Sequence, residues 1–340
     1  MEYLTEELID KLKTPSRVVV TMHRDPDADA MGSSLAWAAF LKKIGHTVSV
    51  ISPTEVAENL HWLRGFEEVL NFENRNGDRV ASLEVLQNAE LIFCLDFSSL
   101  GRLKELAPFV MRTQATIITI DHHLEPEDFA HILISDTSAA ATAQIVYRLI
   151  RQWDENLMDD SIAEALYAGI MTDTGSFRHN STTQDVHLTV ANLMQYGLDV
   201  NKVHRLIYDN SSLSRIQMLG HSLSNMVVLP DFRVSYMVLD QSTLKKFQSA
   251  SGDTDGIVNY GLQVKDVVMT ALFVERPNEV KISFRSVSNF SVREVANAHF
   301  EGGGHKNAAG GRSNLSLSAT IEKFLGILPH YHEQLLAAEK

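Results

Sequence analysis

The sequence predicts an α/β fold, with a mainly parallel sheet flanked by helices and a smaller α+β domain after it. Three observations predict it. Short β-rich apolar runs alternate with helical patterns through the first half of the chain, as βαβ units do. Several of these runs end directly in an aspartate or histidine, and strand ends in an open sheet share one ligand-binding crevice. Beyond about residue 225 the pattern changes to paired strands separated by turns, with helices around them.

The elements follow in order. The acidic, periodic stretch 1–7 reads as a helix and not as a signal peptide. Residues 18–22 read as a strand. Residues 31–43 read as a helix, with Leu35, Ala38, Ala39 and Ile44 marking its apolar spacing, and 47–51 as the next strand. Two helices are expected over 61–70 and 80–86, joined by a polar loop at 73–78. Residues 91–95 and 117–120 read as buried strands, and 166–172 as a further apolar run of the same kind. A helix over 139–152 is expected to start near Asp136, Thr137 and Ser138, where Asp and Ser are good caps. Another covers 181–194. Residues 201–225 lack the bias of a floppy tether and read as a helical connection between a domain at 1–200 and one at 226–340. In the second domain, 226–229 with 234–239 and 267–275 with 280–286 read as hairpins, and 241–249, 292–300 and 319–336 as helices.

The chain has 340 residues, enough for two cores. Its 44% hydrophobic and 21% charged residues are ordinary for a globular protein, and no apolar run is long enough to span a membrane. Cys94, the single cysteine, excludes an internal disulfide and fits a reducing cytoplasm. A net charge of −13 argues against coating long duplex nucleic acid, though not against acting on short phosphorylated ligands.

Chemistry concentrates at the ends of the apolar runs. His23, Asp25, Asp27 and Asp29 follow the first, and the mixed imidazole and carboxylate set suits Mn²⁺, Fe²⁺, Co²⁺ or Zn²⁺. Asp96 follows the run 91–95; alone it would serve equally as a helix cap. After 117–120 come Asp121, His122 and His123. Neighbouring side chains in an extended segment point to opposite sides, so one histidine can bind metal while the other faces a substrate. Asp121 can hold a histidine N–H from behind. Asp173 follows the run 166–172, and Arg178 beyond it offers a planar cation suited to phosphate. So many acids converging on one crevice would repel one another without counter-charge, which points to a pair of divalent ions. Far along the chain, Gly302, Gly303, Gly304 and His305 expose backbone amides and an imidazole suited to an anion. Arg285, at a strand end, is a second cation for the same ligand.

Together these motifs resemble the DHH phosphoesterase superfamily: Asp121-His122-His123, the His23, Asp27, Asp29 string, Asp96 and Asp173, with Gly302 to His305 similar to the signature of its C-terminal DHH-associated domain. Length and two-domain arrangement resemble bacterial enzymes that hydrolyse short oligoribonucleotides and also remove the 3′-phosphate of 3′-phosphoadenosine 5′-phosphate. The resemblance implies one metal held by His23, Asp27 and Asp96, and a second by Asp29, Asp96, His122 and Asp173, with Asp96 bridging. Mn²⁺ is the usual ion of such proteins, with Mg²⁺, Co²⁺ or Fe²⁺ as alternatives, and the pair activates a water for in-line attack. It further implies that His123 and Asp25 lie near the scissile phosphate, and that Arg285, Gly303, Gly304 and His305 clasp the substrate in a cleft between domains. A cytoplasmic monomer or homodimer is expected. The nearest rivals are a phosphodiesterase of cyclic or linear dinucleotides and an inorganic pyrophosphatase or exopolyphosphatase. Pyrophosphatase relatives carry a Ser-Arg-Lys-Lys type run in the second domain, where this chain offers Arg285 and the glycine–histidine run.

Overall fold

A computed structural model of the chain describes residues 3–74, 77–250 and 252–340. The chain divides into two compact units, Met1–Asn210 and Ser211–Lys340.

The first unit contains α1 (Glu6–Leu12), β1 (Arg17–Met22), α2 (Ala28–Lys43), β2 (Thr47–Ser52), β3 (Leu70–Asn71), α3 (Asp78–Gln87), β4 (Leu91–Leu95), α4 (Ala107–Val110), β5 (Thr116–Asp121), β6 (Ile132–Ser135), α5 (Thr142–Asp154), α6 (Asp160–Asp173), α7 (Gln184–Leu193) and α8 (Val200–Tyr208). Its sheet is wholly parallel, in the order β3-β2-β1-β4-β5-β6. Strand order therefore reverses between β1 and β4, and the crevice beyond their C-terminal ends is where such a sheet takes a ligand. β1 and β4 are buried along almost their whole length, as strands covered on both faces must be.

Helix α2 is buried nearly all round, between the sheet and helices α5 and α6. Trp37 stacks on Phe40 at 4.9 Å between ring centroids and meets the Phe93 ring edge-on at 5.4 Å. Full burial of each such side chain contributes about 2–3 kcal/mol. The approach of α2 to α6 depends on glycine: a Cβ on Gly32 would lie 2.2 Å from the Ala165 carbonyl oxygen.

The second unit contains α9 (Leu213–Ser224), β7 (Val227–Leu229), β8 (Val234–Leu239), α10 (Gln241–Lys246), β9 (Met269–Glu275), β10 (Val280–Ser286), α11 (Val292–His299), β11 (Gly303–Gly304), β12 (Ala308–Ser313), α12 (Leu317–Ile327) and α13 (His332–Ala337). Its sheet runs β11-β12-β10-β9-β8-β7, antiparallel except for the parallel pair β8 and β9. Both expected hairpins form. Phe273, Phe284 and Phe324 pack at its core.

Several expectations change. The run 166–172 is not a strand: it is the buried end of α6, which starts six residues earlier, where the Asp159 side chain accepts from the Ile162 N–H. The N-terminal helix begins at Glu6, capped by Thr5, while Tyr3 and Leu4 are buried outside it and residues 1–2 fall outside the described residues. Over 61–70 no α-helix forms; 3₁₀ turns at Glu58–Leu60 and Phe66–Glu68 flank Gly65, whose φ of 90° breaks helical geometry. Helix α5 starts at Thr142 and not near Asp136, because the Asp136 carboxylate is taken by the Ser138 N–H and hydroxyl. The 73–78 loop contains residues 75 and 76, which lie outside the described residues. The glycine run 302–311 is a pair of strands, β11 and β12, joined by a turn.

Candidate metal centre

Three elements of the first unit end at one point. His23 follows β1, Asp96 follows β4, and Asp121 closes β5 with His122 and His123 after it. Asp27 caps α2, its Oδ1 accepting from the Asp29 and Ala30 N–H groups. That leaves Oδ2 of Asp27 3.8 Å from His23 Nε2. Asp29, one position into the helix, is fully buried and points elsewhere. Its Oδ2 accepts from the Thr142 N–H at 2.7 Å and its Oδ1 from the Ala143 N–H at 2.9 Å. Asp29 thus caps α5, which has no side-chain cap of its own.

Asp96 stands between two groups. Its Oδ2 lies 3.4 Å from His23 Nε2, and its Oδ1 lies 3.6 Å from His122 Nε2. His122 Nε2 also lies 3.3 Å from Asp173 Oδ2 and 3.9 Å from Asp29 Oδ2. The donor atoms of His23, Asp27 and Asp96 fall within 4.8 Å of one another, as do those of Asp29, Asp96 and His122. Asp96 has φ 65°, a left-handed conformation costly for a non-glycine residue. Such strain collects at functional sites. It turns the carboxylate out of the strand line and into the cluster.

Both histidines are oriented by backbone carbonyls. His23 Nδ1 meets the Arg24 carbonyl at 2.6 Å and His122 Nδ1 the Ala139 carbonyl at 3.3 Å, so each directs Nε2 at the carboxylates. His123 Nδ1 pairs with Asp121 Oδ1 at 2.8 Å and stands 3.7 Å from Asp96 Oδ1. Asp121 is fully buried behind it. Asp25 is exposed, with φ 50° and its N–H donating to the Thr54 hydroxyl at 2.6 Å. Arg178 stands apart: it is exposed, its Nε donates to the Gly175 carbonyl, and no ion pair joins it to the cluster among the described residues. In the second unit, Arg285 ends the outer face of β10 and its Nη1 donates to the Phe284 carbonyl. Gly304 has φ 132° and no room for a side chain, a Cβ there lying 2.6 Å from the Ala308 carbonyl oxygen. Gly303 pairs with Gly310, and the His305 N–H donates to the Ala308 carbonyl. Thr142 has no sequence signal, yet its hydroxyl donates to Asp96 Oδ1 at 2.9 Å.

The electrostatics call for cations. Burial, reinforced by the charge of Asp173, raises the Asp29 carboxyl from 3.8 to about 7. Burial and then the charges of Asp29, Asp27 and Asp173 hold the Asp96 carboxyl well above its ordinary range. Burial alone would lower His122, but its hydrogen bond to Asp173 and the surrounding carboxylates hold it up at about 9. Burial lowers His23 to about 4, outweighing the charge of Asp27, so it is neutral at pH 7, the form in which an imidazole can hold a cation. Asp173 sits at the C-terminus of α6, where the helix dipole disfavours an anion. Two imidazoles and four carboxylates arranged this way fit divalent cations, which would displace the protons.

Between 6.5 and about 9 the folded, metal-free chain retains a proton on His122 that the unfolded chain has lost, and the raised carboxyls act in the same direction. His23 opposes them, but only below 6.5. Chelated protein is therefore expected to lose stability as pH rises from 6.5 to 9, on the order of 3 kcal/mol from His122 alone. Divalent metal should restore more stability at pH 8.5 than at pH 6.5. Melting curves with chelator and with Mn²⁺ at the two values test this; a chelated protein that grows more stable up to pH 9 would contradict the assignment.

The chain is similar to known proteins over most of its length. The chain is 28% identical over 95% of its length, and 91% of the other's, to the bifunctional oligoribonuclease and PAP phosphatase NrnA of Thermus thermophilus. It is 25% identical over 89% of its length, and 91% of the other's, to the protein of the same name from Bacillus subtilis. A crystal structure of an exopolyphosphatase-related protein from Bacteroides fragilis superposes with a TM-score of 0.92 at 32% identity, covering 98% of this chain and 99% of that one. The DHH family N-terminal domain matches residues 17–170, spanning every element that carries the cluster except the last turn of α6, and the DHHA1 domain matches residues 233–328. With both domains present in this order, the chain belongs to the DHH family.

Proposed function

We propose that the chain hydrolyses phosphoester bonds in short oligoribonucleotides, from di- to pentanucleotides, to release mononucleotides, and removes the 3′-phosphate of 3′-phosphoadenosine 5′-phosphate. The observation that carries this reading is Asp96, whose two oxygens face different histidines, His23 and His122. One carboxylate shared between two ligand sets is what a binuclear phosphoesterase requires. Relatives named for both activities, aligned over most of both chains, support the substrate class.

His23, Asp27 and Asp96 would hold one divalent ion, and Asp29, Asp96, His122 and Asp173 the other, most fittingly Mn²⁺. The pair would supply Lewis-acid charge and a nucleophilic water at neutral pH. The protein's own groups do the rest. Asp121 holds His123 through Nδ1, and His123 would face the phosphoryl group as donor. Asp25 lines the same edge. Arg285, the Gly303 and Gly304 backbone and His305 bind the substrate's phosphate and sugar in the second unit. Arg178 would act on the phosphoryl group only by leaving the Gly175 carbonyl. No helix among the described residues is long and apolar enough to cross a membrane, and a reducing cytoplasm fits Cys94, which is buried and free; the chain would act there as a monomer or homodimer.

A substrate panel assayed with Mn²⁺ tests the reading, with a 5′-phosphorylated dinucleotide, oligomers of increasing length, the 3′,5′-bisphosphate, a linear cyclic-dinucleotide product and pyrophosphate side by side. The dinucleotide and the bisphosphate are expected to turn over fastest. Preference for pyrophosphate or polyphosphate would overturn the nucleotide assignment and favour the phosphoanhydride reading.

A further inference from the structure

The segment from the end of β6 into the first turn of α5, residues 136–143, touches more of the metal ligands than any motif predicts. The Ala139 carbonyl holds His122 Nδ1. The Thr142 hydroxyl donates to Asp96, and the Thr142 and Ala143 N–H groups both donate to Asp29. Three ligands of one set, with Asp96 shared by the other, take their orientation from eight consecutive residues. Most are small: Ser138, Ala139, Ala140, Ala141, Thr142 and Ala143. Residues 139–143 are buried, the alanines among them within the hydrophobic core, but alanine side chains make no hydrogen bonds that could set the segment's register.

A polar anchor stands at the start of the segment, among side chains with no direct contact to the cluster. Asp136 Oδ1 accepts from the Ser138 N–H at 2.9 Å and from its hydroxyl at 2.6 Å. Its Oδ2 accepts from the Tyr3 hydroxyl and, at 3.0 Å, from Arg148 Nη1, which also reaches the Tyr3 oxygen. The Asp136 N–H donates to the Asp121 carbonyl, next to His122. Tyr3 is itself held: its N–H and that of Leu4 both donate to Gln152 Oε1 on α5. Arg148 lies over the Tyr3 ring, 5.6 Å from its centroid. Burial, then the bond to Asp136, pushes the Tyr3 phenol up to about 12, so it remains a donor throughout the neutral range. Tyr3 and Asp136 are both buried.

We infer that Tyr3, Asp136 and Arg148 are positioning residues for the metal centre, a polar triad that fixes segment 136–143 and through it the orientation of His122, Asp96 and Asp29. The inference rests on the reading of the cluster as a metal centre. It makes Tyr3, which precedes α1, part of the support of the metal centre without being a ligand. Groups that orient metal ligands from behind typically set metal affinity by 10–100-fold.

The test is Mn²⁺ binding to the full-length, chelated protein by calorimetry, without substrate. Tyr3→Phe removes one hydroxyl and keeps the ring beneath Arg148; Asp136→Asn removes the acceptor charge. Each is expected to weaken Mn²⁺ binding about tenfold, to lower kcat at limiting Mn²⁺ with recovery at excess Mn²⁺, and to leave KM for the dinucleotide unchanged. Thr142→Val, nearest the ligands, should give the same pattern. A Tyr3→Phe protein that melts earlier but binds Mn²⁺ within about threefold of the parent overturns the inference, since the triad would then serve stability alone. Should Asp136→Asn fail to fold, Tyr3→Phe decides by itself. Because the readout needs no substrate, absence of nucleotide hydrolysis by the parent chain would overturn the proposed activity and leave this result standing.

Discussion

Asp96→Asn is expected to lower hydrolysis of a dinucleotide on the order of 10³-fold or more while raising the melting temperature of the metal-free protein. The two signs come from one cause. Asp96 is fully buried among Asp29, Asp27, Asp173 and Asp121, and its ionised form is disfavoured by burial first and by their charges next. Asparagine keeps the shape, removes a carboxyl that resists ionisation, and tolerates the positive φ of 65° better than most residues. What it cannot do is present an anionic oxygen on each side. One oxygen lies 3.4 Å from His23 Nε2 and the other 3.6 Å from His122 Nε2; an amide offers one oxygen and a nitrogen that donates. Initial rates across a Mn²⁺ titration, with melting curves in chelator, read both effects. Retention of more than about a tenth of the parental rate at saturating Mn²⁺ would sink the bridging role, since a shared ligand is worth far more than that.

The parts of this site that are legible in the sequence are those that follow strands. A strand covered on both faces must be apolar throughout, so the point where β1 gives way to His23, β4 to Asp96 and β5 to Asp121 is visible as an abrupt change of residue type. Asp173 is legible for the wrong reason. Its approach, 166–172, is as apolar as a buried strand because α6 is itself buried nearly all round, and periodicity cannot separate the two. Length can: the apolar pattern reaches back through Ala165 and Ala163 to Ile162, and Asp159 provides a cap. Segment 136–143 is illegible for a different reason. Its function is carried by backbone groups and one threonine, and alanines have no signature. Asp136 reads as a cap, which it is, but of a turn and not of α5. The short strand β6 hides likewise, with only four residues. In the second unit the glycine run is conspicuous, yet its conformation is not. Gly302 and Gly304 lie against the backbone of β12 so closely that a Cβ on either would collide with it, which is why the run forms strands and not an open loop.

Gly169→Ala should both destabilise the protein and impair the metal centre, against the ordinary expectation for helices. In an exposed helix interior the change from glycine to alanine stabilises by about 1 kcal/mol. A Cβ on Gly220 in α9 would meet nothing within 4 Å, so Gly220→Ala should show that gain. At Gly169 in α6, a Cβ would lie 2.6 Å from Asp29 Oδ1, 2.8 Å from the Ala143 Cβ and 3.0 Å from the Asp29 Cα. Neither neighbour can yield cheaply. Asp29 is fixed by the Thr142 and Ala143 N–H groups, and Ala143 lies in the first turn of α5. The helix must shift or the carboxylate must turn, and overpacking of this kind costs about 1–3 kcal/mol. Because the displaced atom belongs to Asp29, the same methyl group is expected to weaken Mn²⁺ binding at least about tenfold. Thermal melts and Mn²⁺ titrations of the two alanine variants side by side separate the effects. If Gly169→Ala melts lower but binds Mn²⁺ as the parent does, α6 has moved as a body and Asp29 keeps its place without the glycine; equal stabilisation at both positions would mean that α6 and the Asp29 carboxylate are not in contact at all.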